Sequence, residues 1–123
     1  MRLADFVIEF LEKKKIDTVF TVSGGVSIFL CDALYKAKKL KYVACHHEQA
    51  VAYATESYTR AKNKPGAAIV TTGPGGTNTT SGVACFWIDS VPSITGNNFL
   101  RAFQINQLSK PGLPIIKSGS FFH

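Results

Sequence analysis

The chain has 123 residues, of which 46% are hydrophobic, 11% aromatic and 18% charged. This length corresponds to one domain with one core, and the composition excludes intrinsic disorder. No apolar run approaches the roughly 18 residues of a membrane span, which excludes a transmembrane protein. Acidic residues interrupt the apolar pattern of the first helix, so neither a secretory signal nor a transit peptide is predicted.

The formal net charge is +6, from 14 Lys and Arg against 8 Asp and Glu, so nucleic acid is the first partner to consider. The lysines cluster where predicted helices end, and cations at those positions favour the helix dipole. The aromatic residues are not interleaved with the basic ones, as base-stacking surfaces require. The pattern therefore favours solvated helix ends and no nucleic-acid partner.

The three cysteines, Cys31, Cys45 and Cys85, lie far apart in the sequence. They form neither a C-x-x-C pair nor the spacing of a zinc finger. An odd number of separated cysteines is typical of a reducing compartment with buried free thiols. We therefore expect a cytoplasmic protein.

Hydrophobic periodicity predicts helices and strands in alternation. The first helix is the clearest, because Leu3, Phe6, Val7, Phe10 and Leu11 follow amphipathic spacing and lysines close it. The predicted elements that follow are a strand over 18–22, a helix over 27–38, a strand over 41–45, a helix over 47–62, a strand over 67–72, a helix from 77 or 78 to about 89, and a strand over 91–95. No element is assigned to 99–123.

This alternation in short steps predicts an α/β fold with three layers, in which a mainly parallel sheet carries helices on both faces. The strand over 67–72 is apolar enough to be buried on both of its faces. We expect residues 1–95 to form the core of the domain and residues 96–123 to form an atypical C-terminal segment.

Ligands of such sheets bind beyond the carboxyl ends of the strands. Three segments are predicted to lie there: Ser23-Gly24-Gly25 after the first strand, His46-His47-Glu48 after the second, and the glycine-rich segment 73–78 after the third. Their convergence predicts a ligand site at this edge of the sheet.

The glycine-rich segment resembles a phosphate-binding turn, since such turns present backbone N–H groups to anions. Asn78, however, occupies the position of the last glycine in the dinucleotide fingerprint, and no lysine follows as in nucleotide triphosphatases. The alternative is a tight strand-to-helix turn that lets the backbone approach a flat group.

His46 and His47 are adjacent, so on a helix they point about 100° apart and cannot chelate one ion together. We therefore predict no metal ligand in this chain. Glu48 opens a helix whose next turns are small and apolar. The helix N-terminus favours its charge and desolvation raises its pKa, which suits a group that shares a proton with a ligand nitrogen. The alternative is a glutamate that only complements the helix dipole.

Four motifs at consistent spacing now identify a family. The runs VFTVSGG, HHEQAVAYATESYTRAKNKPG, VTTGPGGTN and GVACFWIDSVP resemble the N-terminal pyrimidine-binding domain of thiamine-diphosphate enzymes. The most similar subgroup contains acetolactate synthase and 2-oxo-acid decarboxylase-like enzymes. The resemblance covers residues 1–92 in unbroken order.

The resemblance implies a role for each matching segment. The glutamate at the position of Glu48 hydrogen-bonds a ring nitrogen of the aminopyrimidine and promotes the tautomer that generates the ylid. The ylid then attacks a 2-oxo acid such as pyruvate, in lyase or transferase chemistry. The remaining cofactor-binding positions would be Ser23, Gly24 and Gly25 near the thiazolium and Thr72, Gly73, Pro74 and Asn78 beside the pyrimidine.

In this family a second domain holds the diphosphate and Mg²⁺ through Gly-Asp-Gly and a later Asn-Asn. The chain contains no Gly-Asp dipeptide, so the resemblance implies half a site, inactive alone, in a truncated form of the fold. Mg²⁺ would lie on a partner diphosphate-binding domain or subunit, in a homo- or hetero-dimer. Three alternatives follow: a piece of a larger enzyme, a separately encoded subunit of a split decarboxylase, or a non-catalytic interaction module.

Overall fold

The structure is a computed structural model that describes residues 1–97 and 103–106. The helices are α1 (Leu3–Lys13), α2 (Ile28–Lys36), α3 (Glu48–Lys62), α4 (Pro74–Thr77) and α5 (Thr80–Ile88), with a 3₁₀ turn over Gly25–Ser27. The strands are β1 (Thr18–Thr21), β2 (Lys41–Ala44), β3 (Gly66–Val70), β4 (Ser93–Asn97) and β5 (Phe103–Asn106).

The five strands form one sheet in the order β2-β1-β3-β4-β5. β1 pairs in parallel with β2 and with β3, so that Val19 lies between Tyr42 and Ala67. β4 continues the parallel sheet beside β3, and β5 pairs with β4 in the antiparallel direction. The predicted α/β fold with a mainly parallel sheet is confirmed. β5 falls in the segment to which no element had been assigned.

Helices cover both faces of the sheet. α1 and α2 pack on one face, where Leu11 and Leu34 join sheet residues such as Val19 and Ile69 in one buried cluster. α3 covers the opposite face through a second cluster: Phe20, Val51, Ala68 and Val70. All five residues of β3 are buried, because helices pack against both of its faces. The predicted strand over 67–72 extended too far, since Thr71 and Thr72 lie beyond β3 and are half-buried.

The buried face of α1 differs slightly from the predicted apolar face. Leu3 and Phe6 are about half exposed, at 51% and 49%, and the buried line runs through Ala4, Ile8 and Leu11. Alanine and isoleucine at these positions let α1 approach the sheet and α2 closely, which favours this rotation of the helix over one that would bury the phenylalanine.

The glycine-rich segment differs from the predicted strand-to-helix turn. Gly73 has a φ of 66°, in the left-handed region that favours glycine, and the chain then begins the short helix α4 at Pro74. The next helix, α5, starts only at Thr80. Neither Thr77 nor Asn78 caps it, since Thr79 occupies the N-cap and makes no side-chain capping bond. The predicted caps are therefore wrong, because α4 already takes up residues 74–77.

The fourth strand begins and ends two residues later than predicted. The Val91 amide donates to the Phe86 carbonyl over 2.9 Å, which keeps Val91 in the turn after α5. Pro92 has no N–H to give to a strand ladder. β4 then pairs with β3 beyond Gly96, up to the pair Val70 and Asn97.

The cysteines and the length of the helices bear on the predicted compartment and on membrane insertion. Cys31, Cys45 and Cys85 are free, but each is half-buried instead of buried, so that part of the prediction is wrong. Partial burial raises the pKa of the Cys45 thiol. Within residues 1–97 and 103–106, no helix combines the length and the apolar character that a membrane crossing requires.

Candidate functional site at the carboxyl edge of the sheet

Three chain segments converge at one edge of the sheet, as predicted. β2, β1 and β3 are neighbours and run in parallel, so the residues that follow them emerge side by side. Ser23-Gly24-Gly25 follow β1, Glu48 opens α3 after β2, and 73–78 follow β3. Contacts between the segments show which of these residues meet.

Glu48 is placed by the start of α3. His47 is the N-cap in extended conformation, and its ring Nδ1 accepts a hydrogen bond of 3.1 Å from the Gln49 amide. The Gln49 side chain donates to Ser81 Oγ over 3.0 Å and so ties α3 to α5. His47 therefore acts as a helix cap, a role that the adjacent-histidine pattern did not indicate.

The Glu48 carboxylate is half-buried and paired with a side chain from the third segment. Asn78 Nδ2 donates to Glu48 Oε2 over 3.0 Å. This bond and the backbone N–H of Glu48 lower the pKa of the carboxyl, as the charged form of His47 also does, while partial burial opposes them. Glu48 is therefore ionised at neutral pH. The hydrogen bond from Asn78 lowers its pKa by more than partial burial raises it.

The second oxygen of the same carboxylate faces a glycine. A Cβ placed on Gly75 would lie 3.4 Å from Glu48 Oε1. Gly75 is buried, and the space that a side chain would take is filled by Thr71, whose Cγ2 would lie 2.7 Å from the added Cβ. Oε1 is therefore bordered by the backbone of Gly75, with no side chain of that residue between them.

Thr71 packs against two of the three segments, although it was not among the predicted site residues. A Cβ on Gly24 would lie 2.6 Å from Thr71 Cβ, and one on Gly75 would lie 2.7 Å from Thr71 Cγ2. The threonine thus packs directly against the backbone of both glycine segments. The sequence could have indicated this residue, because it lies between β3 and the glycine-rich segment, and a branched residue beside glycines indicates close backbone packing.

Ser27 fixes the segment after β1. Its hydroxyl accepts from the Gly24 amide and donates to the Gly24 carbonyl, each over 3.0 Å. Ser27 is fully buried, so the loop after β1 is held by a closed pair of hydrogen bonds. The sequence analysis had assigned this serine only to the start of a helix.

The remaining predicted site residues line the same edge with fewer contacts. Ser23 and Gly25 are exposed, and nothing lies within 4 Å of a Cβ built on Gly25. Thr72 is half-buried, and Pro74 begins α4, where its carbonyl accepts from Thr77 Oγ1 over 3.1 Å. Among the residues that the structure describes, no hydrogen bond links Ser23 or Thr72 to Glu48. Of the predicted site residues, Asn78 is the one that hydrogen-bonds the Glu48 side chain in the described part of the chain.

Across residues 1–97 and 103–106, no three or more His, Cys, Asp or Glu side chains form a group that could hold an ion. His46 is exposed and His47 is engaged at the helix cap.

The fold and this edge define a mainly parallel α/β domain with a candidate ligand site at the carboxyl ends of three strands. The family model described as "Thiamine pyrophosphate enzyme, N-terminal TPP binding domain" matches residues 1–108. The chain belongs to this family, and the resemblance stated from its motifs is confirmed.

The chain is also similar to several acetolactate synthases. It is 43% identical to acetolactate synthase 3, chloroplastic, of Brassica napus over 95 residues, which cover 76% of this chain and 15% of that protein. It is 38% identical over 121 residues to the acetolactate synthase large subunit of Cyanidium caldarium, and 33% identical over 121 residues to acetolactate synthase of Mycobacterium avium. These alignments cover 90% and 93% of this chain but only 21% and 20% of those relatives.

Proposed function

We propose that this chain forms the aminopyrimidine-binding part of a thiamine-diphosphate site, with Glu48 as the residue that hydrogen-bonds the ring. One observation carries the proposal: the Glu48 carboxylate is held through Oε2 by Asn78, while Oε1 lies beside the bare backbone of Gly75. A flat, nitrogen-containing ring fits this arrangement, because it needs one carboxylate oxygen and a surface without side chains.

The chemistry of Glu48 follows from its charge and position. An ionised carboxylate accepts a hydrogen bond from a protonated ring nitrogen and stabilises that protonated form. The half-buried setting strengthens the bond, since less water competes for Oε1. Thiamine diphosphate, when bound, supplies the electron sink for chemistry at a carbonyl carbon. Gly24, Gly73 and Pro74 provide backbone that a ring can approach closely.

The substrate and the rest of the site follow from the relatives' names. Because the similar proteins are acetolactate synthases, we propose a 2-oxo acid such as pyruvate as the substrate. The diphosphate and Mg²⁺ would be held by a partner domain or subunit in a homo- or hetero-dimer, since the chain spans about a fifth or less of those relatives. The cytoplasm remains the proposed compartment, although the Brassica napus relative is chloroplastic by name.

Binding to the chain itself tests the proposal. Thiamine diphosphate is titrated into ¹⁵N-labelled chain, and amide shifts are followed at Gly24, Thr71 and Gly75. We expect shifts confined to this edge and about tenfold weaker binding by Glu48→Gln, as loss of a charged hydrogen bond implies. The matched control is Glu9→Gln, which alters an exposed glutamate on α1 and leaves binding unchanged.

Two results would contradict the proposal. The first is a titration without shifts at this edge, and the second is equal affinity in Glu48→Gln and the unaltered chain. We also expect no turnover of pyruvate by the chain alone, because Mg²⁺ and the diphosphate need a partner. Turnover by a pure preparation would overturn the assignment of half a site.

A further inference from the structure

The backbone around Asn78 is fixed before its side chain makes any contact. Gly73 turns the chain with its positive φ, and Pro74 begins α4. The Asn78 amide then donates to the Pro74 carbonyl over 2.9 Å, so that the residue closes this single helical turn in helical conformation. The asparagine side chain is therefore presented from a rigid turn.

From this turn the side-chain amide reaches across the edge of the sheet to α3. Its Nδ2 donates to one oxygen of Glu48, Oε2, and the other oxygen faces Gly75. The bond fixes the plane of the carboxylate, with one oxygen held by Asn78 and the other facing Gly75. The resemblance to the family predicts Asn78 beside the cofactor, and the structure adds a protein partner for its side chain.

We propose that Asn78 is a positioning residue that holds Oε2 of Glu48 and so makes Oε1 the oxygen presented to the ligand. The identity of that ligand rests on the proposed function, whereas the contact itself does not. Among the described residues, the one other titratable residue that acts on Glu48 is His47, the N-cap of α3, and its charged form also lowers the pKa of the carboxyl. Asn78 makes the larger contribution.

The side-chain ¹³C resonance of Glu48, followed against pH in the labelled chain, tests the inference without any cofactor. We expect Asn78→Ala to move the titration midpoint to higher pH, because a hydrogen bond to the charged form is lost. Asn78→Asp should move it further, because a second carboxylate takes the place of the amide. The matched control is Ser81→Ala, which breaks the tie between Gln49 and α5 but leaves both partners of the Glu48 bond, and it should not move the midpoint.

An unchanged midpoint in Asn78→Ala would overturn the inference. Asn78→Asp preserves the size of the side chain and serves as the test if the alanine variant does not fold. An unchanged midpoint of Glu48 in Asn78→Asp would also overturn the inference. As a second readout, Asn78→Ala should weaken thiamine-diphosphate binding several-fold.

The two proposals fail in different ways. If Asn78→Ala moves the midpoint but the unaltered chain does not bind thiamine diphosphate, the proposed function fails and the positioning of the carboxylate stands. If the unaltered chain binds the cofactor, Glu48→Gln loses it and Asn78→Ala changes neither midpoint nor affinity, only the positioning role fails.

Discussion

A methyl group on Gly75 would lie 2.7 Å from Cγ2 of Thr71, closer than carbon atoms approach in proteins. The same threonine faces Gly24, where an added methyl would lie 2.6 Å from its Cβ. Thr71 therefore sets the distance between the segments that follow β1 and β3. The shape of the candidate site depends on this packing, because both segments border the edge where Glu48 lies.

Gly75→Ala should lower the free energy of unfolding by about 1–3 kcal/mol, as overpacking does in well-packed regions. Thr71→Ser should restore most of this loss, since it removes the Cγ2 atom that the new methyl would meet, and Thr71 Cβ lies 3.6 Å away. Urea denaturation of the single and double variants measures the coupling. Additive losses would show that Cγ2 is not the obstacle.

Gly24→Ala should be destabilising by a similar amount, about 1–3 kcal/mol, but Thr71→Ser should not rescue it. Its nearest contact is Thr71 Cβ, which serine retains. Gly25→Ala is the matched control, because nothing lies within 4 Å of the added methyl, and its stability should stay close to that of the unaltered chain. Rescue of Gly24→Ala by serine would contradict the packing described here.

The contact between α3 and α5 predicts a second coupled pair. A methyl on Gly82 would lie 2.3 Å from Ala52 Cβ, so Gly82→Ala should cost about 1–3 kcal/mol despite its better helix propensity. Ala52→Gly should offset part of that cost, although a glycine inside α3 itself costs about 1 kcal/mol. Ala50→Gly carries the same helix penalty on an exposed position and should give no rescue. Thermal denaturation of the double variants decides between these outcomes.

Tyr58 links α3 to the start of β1. Its hydroxyl donates to Asp17 Oδ1 and accepts from Thr18 Oγ1 over 3.3 Å. Tyr58→Phe should lower the free energy of unfolding by about 1 kcal/mol at pH 7, below the usual value for a bond to a charged group because the Asp17 side chain is 46% exposed. Denaturant unfolding measures this, and Tyr53→Phe is the control, since its hydroxyl has no hydrogen-bond partner in the described part of the chain.

The pH dependence of this variant follows from Asp17. The hydrogen bond from Tyr58 lowers the pKa of Asp17 below its ordinary 3.8, so the stabilisation is complete above pH 3.8 and is lost as the pH falls through the folded-state pKa. The difference between Tyr58→Phe and the unaltered chain should therefore shrink at acidic pH. A difference that stays constant down to pH 2 would show that the hydroxyl of Tyr58 stabilises the protein independently of the charge on Asp17.

The cap on α3 gives a further prediction. His47→Ala should cost about 1 kcal/mol, because the Gln49 amide loses its acceptor, whereas His47→Asn should retain most of the stability. His46→Ala is the control, since His46 is exposed and lies outside the cap. Chemical denaturation of the three variants measures these changes in the free energy of unfolding. Equal losses in His46→Ala and His47→Ala would remove the capping role.

Part of the site was predictable from sequence because it depends on chain order. Alternation of strands and helices implied a parallel sheet, and a parallel sheet brings the segments after its strands to one edge. The quoted motifs then identified the family, and Glu48 was singled out by its place before a small, apolar helix face. The boundary at residue 95, the cofactor-binding roles and Glu48 as the catalytic residue remain predictions.

The sequence by itself determined the alternation of helices and strands up to β4 and the edge at which the glycine segments and Glu48 meet, because periodicity and chain direction are local properties. Only the tertiary structure decided that Asn78 pairs with Glu48 across 30 residues and that Thr71 packs against two glycines. Such contacts depend on the register of β1 and β3 and on the early start of α4. Side-chain distances of a few ångströms are set by the packing of whole elements, which no local pattern encodes.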